Sequence, residues 1–159
     1  MIWLETEGGP FIFAEDEHKC YWKGVEENDF EEACDVEGYL GEIQKQNGQF
    51  LVLGDEPLRT SMFSSSSIGF CFVRWEWADS EELVEVLMNN FDPLICEKLE
   101  EDYVATFRGG MYSLFDSVNA GCAAESIQTK LQKGRYCIST YKYEPDDRTS
   151  LIVHQFLLI

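Results

Sequence analysis

The stretch 68–77 constrains the fold more than any other part of the chain. Its residues alternate strictly: Ile68, Phe70, Phe72, Arg74 and Glu76 share one face of an extended strand, and Gly69, Cys71, Val73, Trp75 and Trp77 share the other. Both faces are largely apolar at its start. A strand apolar on two sides has to be covered on both, so the pattern predicts a central strand of a sheet.

Further strands are expected at 1–6, 11–14, 39–44, 49–54, 57–63 and 111–118, with another alternating region at 96–108. Gly8-Gly9-Pro10 reads as the turn of a hairpin joining the first two. Asn47-Gly48 is the strongest short hairpin signal in the chain. The serine run 64–67 reads as a flexible loop, and 120–131 as loop or short helix. The C-terminal end reads as a hairpin of 134–143 and 149–159 around Glu144-Pro145-Asp146-Asp147-Arg148.

Two helices interrupt the strands. Asn28 can cap one that runs to about residue 36, with Phe30, Ala33 and Cys34 as its buried stripe and Gly38 as its stop. Asp79-Ser80-Glu81-Glu82 forms a capping box for a helix over 80–91, with Leu83, Val86, Leu87 and Asn90 on one stripe. Two helices among roughly ten strands joined by tight turns predict an α+β fold, mainly antiparallel β-sheet, in a single domain over 1–159.

Charge bounds the partners. Thirty acidic residues against twelve basic ones leave a net charge of −18. On a surface of the size expected for this mass, that is about one uncompensated negative charge per 450 Å². Such a field repels nucleic acid and anionic membrane and favours basic partners. The aromatic content, 11 Phe, 7 Tyr and 4 Trp, argues against an acidic disordered chain. No apolar run is long enough to span a bilayer, and the first residues lack a basic segment, so a cytoplasmic location is expected. Six widely spaced cysteines without a C-x-x-C motif then read as free thiols.

Few motifs for catalysis or cofactors emerge. The two histidines, His18 and His154, are far apart, and no Cys/His spacing suits zinc; His18 and Cys20 form an i, i+2 pair that reads as chance. No metal and no cofactor is expected. His154 reads as a structural histidine, and Asp55 as a turn residue. An alternative keeps a small hydrolase or ligand-binding enzyme that uses Asp55 or His154 in a pocket. A generic scaffold domain is a third possibility. Tyr141, Tyr143, Trp75 and Trp77 read as core or interface aromatics rather than base-stacking platforms.

The acid clusters 15–17, 26–32 and 97–102 therefore carry the functional reading. Glu15, Asp16, Glu17, Glu26, Glu27, Asp29, Glu31 and Glu32 are expected to contact a basic partner. Tyr21 and Trp22 beside them are candidate aromatic anchors.

Four stretches resemble one family. Trp3-Leu-Glu-x-x-Gly-Gly-Pro10, Asp29-Phe30-x-x-Ala33-Cys34-Asp35-Val36, Leu51-Val-Leu-Gly-Asp-Glu-Pro57 and Val73-Arg74-Trp75-x-x-Ala78-Asp79-Ser80 look like the Immunity protein 21 family. The likeness covers most of 1–83 and the final hairpin, and is weak over 95–131. It implies a bacterial immunity protein that neutralises a cognate polymorphic toxin by direct binding, with no enzymatic activity and no cofactor. Together with the charge, it leads us to expect a basic, nuclease-like toxin, no nucleic-acid or membrane partner, and a monomer or weak homodimer.

Overall fold

The computed structural model describes all residues from 1 to 159. In chain order the elements are β1 (Trp3–Leu4), β2 (Phe11–Glu15), α1 (Asp29–Cys34), β3 (Leu40–Lys45), β4 (Gly48–Leu53), β5 (Thr60–Ser65), β6 (Gly69–Trp77) and α2 (Glu81–Asn89). They continue with β7 (Glu97–Lys98), β8 (Tyr103–Phe107), β9 (Gly110–Asp116), β10 (Ser126–Leu131), β11 (Gly134–Asp146) and β12 (Thr149–Leu158). Strands dominate, and the fold is α+β as the residue pattern predicts.

The chain divides into two compact units, each assembled from separated segments. The first comprises Met1–Trp3, Leu58–Thr106 and Gly134–Ile159. It is built on a sheet of order β1-β5-β6-β12-β11-β7, with β8 also paired to β11. β6 lies inside this sheet between β5 and β12, antiparallel to both. Cys71 and Val73 on one face and Phe72 and Arg74 on the other are all buried. The two-sided apolar pattern therefore marks a strand covered on both faces. β11 and β12 form the expected hairpin, in register from Tyr136↔Leu158 to Tyr143↔Leu151, with a shift before Asp146↔Thr149.

α2 covers part of that sheet with Val84 and Met88, joined by Leu87. The expected stripe is corrected: Val86 and Asn90 are exposed. The Ser80 hydroxyl, one residue past the expected Asp79, accepts from the Leu83 amide at 3.1 Å. Val84, Leu87, Met88 and the following Phe91 recur at i, i+3, i+4 and i+7 and pack into one core, so the buried stripe lies one position along from the expected one.

The second unit comprises Leu4–Pro57 and Phe107–Lys133 and carries a five-stranded antiparallel sheet, β10-β9-β2-β4-β3. Asn47-Gly48 joins β3 to β4, with Lys45 opposite Gly48. The hairpin expected around Gly8-Gly9-Pro10 does not form. β2 pairs instead with β4 and β9, while β1 pairs with β5. Pairing β2 on both edges buries Phe11, Ile12, Phe13 and Ala14, which a two-stranded hairpin would leave half exposed. The ambiguous stretch 120–131 resolves into a turn and β10.

α1 begins after Asn28 as expected, but Asn28 makes no side-chain cap bond. The expected stripe is corrected here as well. Ala33 is buried, Phe30 is partly buried and Cys34 is exposed. Six residues make fewer than two turns, too short for an i, i+3, i+4 stripe to turn wholly inward.

Candidate functional site

The site lies in the second unit, where the chain leaves β2, passes through a 3-10 turn at Lys19–Tyr21, and enters α1. Trp22 anchors this passage. Its ring is fully buried among Ile12, Ala14, Ala33, Phe50, Val52 and Phe115, and its Nε1 donates to the Ser117 carbonyl at 2.9 Å. The expectation of an exposed aromatic anchor is therefore corrected. A large ring this close to β2 and β4 is stabilised most by burial.

A disulfide between Cys20 and Cys122 ties the same passage to the turn after β9. This overturns the free-thiol reading for that pair; Cys34, Cys71, Cys96 and Cys137 are free. The two segments can approach because residue 121 is glycine. A Cβ there would lie 1.9 Å from the Lys19 carbonyl oxygen, and the Gly121 amide donates to the Trp22 carbonyl at 2.9 Å.

Asp29 is also corrected from a surface contact to a buried group. Its carboxylate accepts from the Lys23 amide at 2.6 Å and from Lys45 Nζ at 2.6 Å. Lys45 reaches Glu27 as well, at 3.2 Å. Burial pulls the Lys45 ammonium down, but its hydrogen bonds to Asp29 and Glu27 outweigh this and hold its pKa above 10.5. Asp29 thus fastens the start of α1 to β3.

Glu15 is likewise mostly buried, at the end of β2, with Oε1 3.9 Å from Arg108 Nε. Asp16 is partly buried and accepts from Lys19 Nζ at 2.8 Å, Ser113 Oγ at 2.6 Å and Gln128 Nε2 at 2.8 Å. The bonds to Lys19 and Ser113 hold its pKa below 3.8. Glu17, Glu26, Glu27, Glu31 and Glu32 are exposed, and Tyr21 is half-buried, stacked on the His18 ring.

Charge is dense here. Residues 23–45 hold eight acids against two lysines, and every acid but Asp29 is exposed. Asp35, Glu37 and Glu42 belong to this face, although the sequence reading did not name them. Two open clefts flank α1. One, of about 440 Å³, is lined by Glu27, Asn28, Asp29, Glu32, Gln44 and Lys45. The other, of about 490 Å³, lies beside Cys34, Val36 and the turn at Asp55.

Of the groups considered for catalysis, Asp55 lines the second cleft, while His154 belongs to the first unit. Asp55 is exposed in a left-handed turn at φ 63°. His154 is fully buried in β12, with Nδ1 3.0 Å from Thr140 Oγ1. Burial pushes the Cys71 thiol up to about 12 and the Cys96 thiol up to about 11, and burial with Asp35 nearby raises Cys34. An activated thiol shifts in the opposite direction. No helix is long and apolar enough to cross a membrane.

The second unit thus presents dense negative charge beside two open clefts. A family model described as Immunity protein 21 matches residues 2–149, and the chain belongs to that family. It is therefore an immunity protein, and the family implies binding of a cognate toxin. No curated protein and no solved structure matches it.

Proposed function

We propose that the chain neutralises a basic, nuclease-like toxin by laying the acidic face of α1 across the toxin's substrate groove. The supporting observation is the concentration of exposed acids on and beside α1, with Asp29 and Lys45 holding the helix in place. A nuclease must hold phosphates and so presents cations in its groove, and carboxylates compete directly for those cations. Glu26, Glu27, Glu31 and Glu32 are the principal contacts, Asp16, Glu17 and Tyr21 extend the patch, and the cleft lined by Glu27 and Glu32 accepts a lysine or arginine side chain. The chain acts without a cofactor, in the cytoplasm, as a monomer or weak homodimer, and binds neither nucleic acid nor membrane.

The test uses the toxin encoded beside this chain. Cells poisoned by that toxin recover when the wild-type chain is co-expressed, and lose protection when Glu26, Glu27, Glu31 and Glu32 are all changed to lysine. Association should slow roughly 10- to 1000-fold in that variant. It should also slow with added salt in the wild type, while dissociation changes less. Full protection by the quadruple variant, at unchanged thermal stability, would place the interface elsewhere.

A further inference from the structure

The geometry points to a divalent-cation site formed by Glu15, Glu17 and His18, at the edge of the acidic face. One ligand atom from each residue lies within 4.8 Å of the others. His18 Nδ1 is 3.7 Å from Glu15 Oε2, while Glu17 Oε1 stands 3.7 Å from the other ring nitrogen, Nε2, so an ion held by Nδ1 and Glu15 requires Glu17 to turn toward it. Imidazole and carboxylate together suit first-row ions such as Zn²⁺, whose ligands stand at about 2.0–2.2 Å.

The imidazole supplies an observation independent of the acids. His18 is 9% exposed, and its Nδ1 is buried without a hydrogen-bond partner. A buried ring nitrogen that only faces a carboxylate at 3.7 Å is costly to leave so. A metal between them would satisfy both groups at once. The ring is also held still: it stacks on Tyr21 at 5.2 Å between centroids, and a Cβ at Gly48 would lie only 3.3 Å from the His18 Cβ.

The surrounding groups sort themselves into ligands and supports. Arg108 approaches Glu15 through Oε1 and leaves Oε2 turned to His18, so it can orient that carboxylate as outer partners of metal ligands do. Asp16 is excluded as a ligand because Oδ1 is already engaged by Lys19, Ser113 and Gln128. Glu17 is the adjustable member. Its side chain is 77% exposed, so it is free to turn from Nε2 toward an ion held by Nδ1 and Glu15. Three protein ligands leave a fourth position for water, and the net charge of −18 raises the local concentration of cations.

In sequence the local partner for His18 is Cys20, a pairing that reads as chance. The fold places Cys20 in the disulfide and brings the two glutamates to His18 instead.

The site belongs to the free chain, so Zn²⁺ alone is the probe and the toxin reading is not at stake. With only two histidines, the ring resonances are easily separated. One equivalent of Zn²⁺ should shift the His18 ring signals and leave those of His154 unchanged. Calorimetry should show saturable binding of one ion per chain, persisting in moderate salt. His18→Ala should abolish it. Because His18 is buried and its loss can perturb folding, the deciding variant is Glu17→Gln, whose exposed side chain leaves the fold intact. That variant should weaken binding at least tenfold. An unmoved His18 signal, or equal affinity in Glu17→Gln, would overturn the site and reduce the cation uptake to diffuse attraction by an acidic surface.

Discussion

At residue scale, neighbours in sequence play opposite parts. Trp22 and Asp29 lie among the exposed acids yet hold the unit together, while Glu31 and Glu32 face solvent. Trp22→Ala should therefore cost about 3–5 kcal/mol in urea unfolding, from lost burial and an unfilled cavity. Glu31→Lys with Glu32→Lys should change stability by under about 0.5 kcal/mol. His154 sets a pH dependence. Burial, with the Arg74 charge second, holds its pKa well below 6.5, so it is neutral in the folded chain. Once unfolded it protonates near 6.5. The unfolded state then binds more protons below that pH, so stability should fall as pH drops below about 6.5, with a limiting slope of about 1.4 kcal/mol per pH unit, until the folded-state pKa is reached. Denaturant titrations across that range check the slope, which His154→Gln should lack. Asp16 acts lower. Because its folded pKa is depressed below 3.8, its contribution is present above that value and lost as pH falls through the folded pKa.

At the scale of elements, both helices are short; α1 is too short for a full stripe, and α2 buries the stripe of Val84, Leu87 and Met88. α2 offers the clearer test. Ser80→Ala removes the bond to the Leu83 amide and should cost about 1 kcal/mol. Met88→Ala should cost about 2–5 kcal/mol, whereas Val86→Ala should be nearly silent, because Val86 is exposed. Thermal melts of the three variants decide between this stripe and the one centred on Val86 and Asn90. The passage from β2 into α1 depends on the Cys20–Cys122 bond, which closes a loop of 102 residues. Reduction should lower stability by about 2–4 kcal/mol. The thiol-blocked, reduced chain measured against the oxidised one reads this directly; equal stability would show the packing of Trp22 to suffice.

At the scale of the whole molecule, the chain passes between its two units at 3–4, 57–58, 106–107 and 133–134. Neither unit is a contiguous segment, so no truncation removes one and spares the other. We expect a single cooperative transition, with calorimetric and van't Hoff enthalpies equal. Two separated transitions would show that the units fold independently and refute one domain over 1–159. Added salt should raise the melting temperature by screening self-repulsion among eighteen net negative charges.

The sequence by itself determined the antiparallel α+β class, the central position of β6, the final hairpin, the sign of the surface field and the family. Each of these is written in local alternation, in summed charge or in matching stretches. The strand period of two survives whatever the distant chain does. Tertiary structure alone decided which acids remain free, because the burial of Asp29 depends on Lys45 from β3 and that of Glu15 on the end of β2. It also decided that Trp22 is core, that β2 pairs with β4 and β9, and that Cys20 meets Cys122. The Glu15–Glu17–His18 cluster belongs to the same group: its residues are close in sequence, but only the turn after β2 brings their ligand atoms together. Burial and pairing of this kind are set by loop closure over tens of residues, which no local pattern encodes.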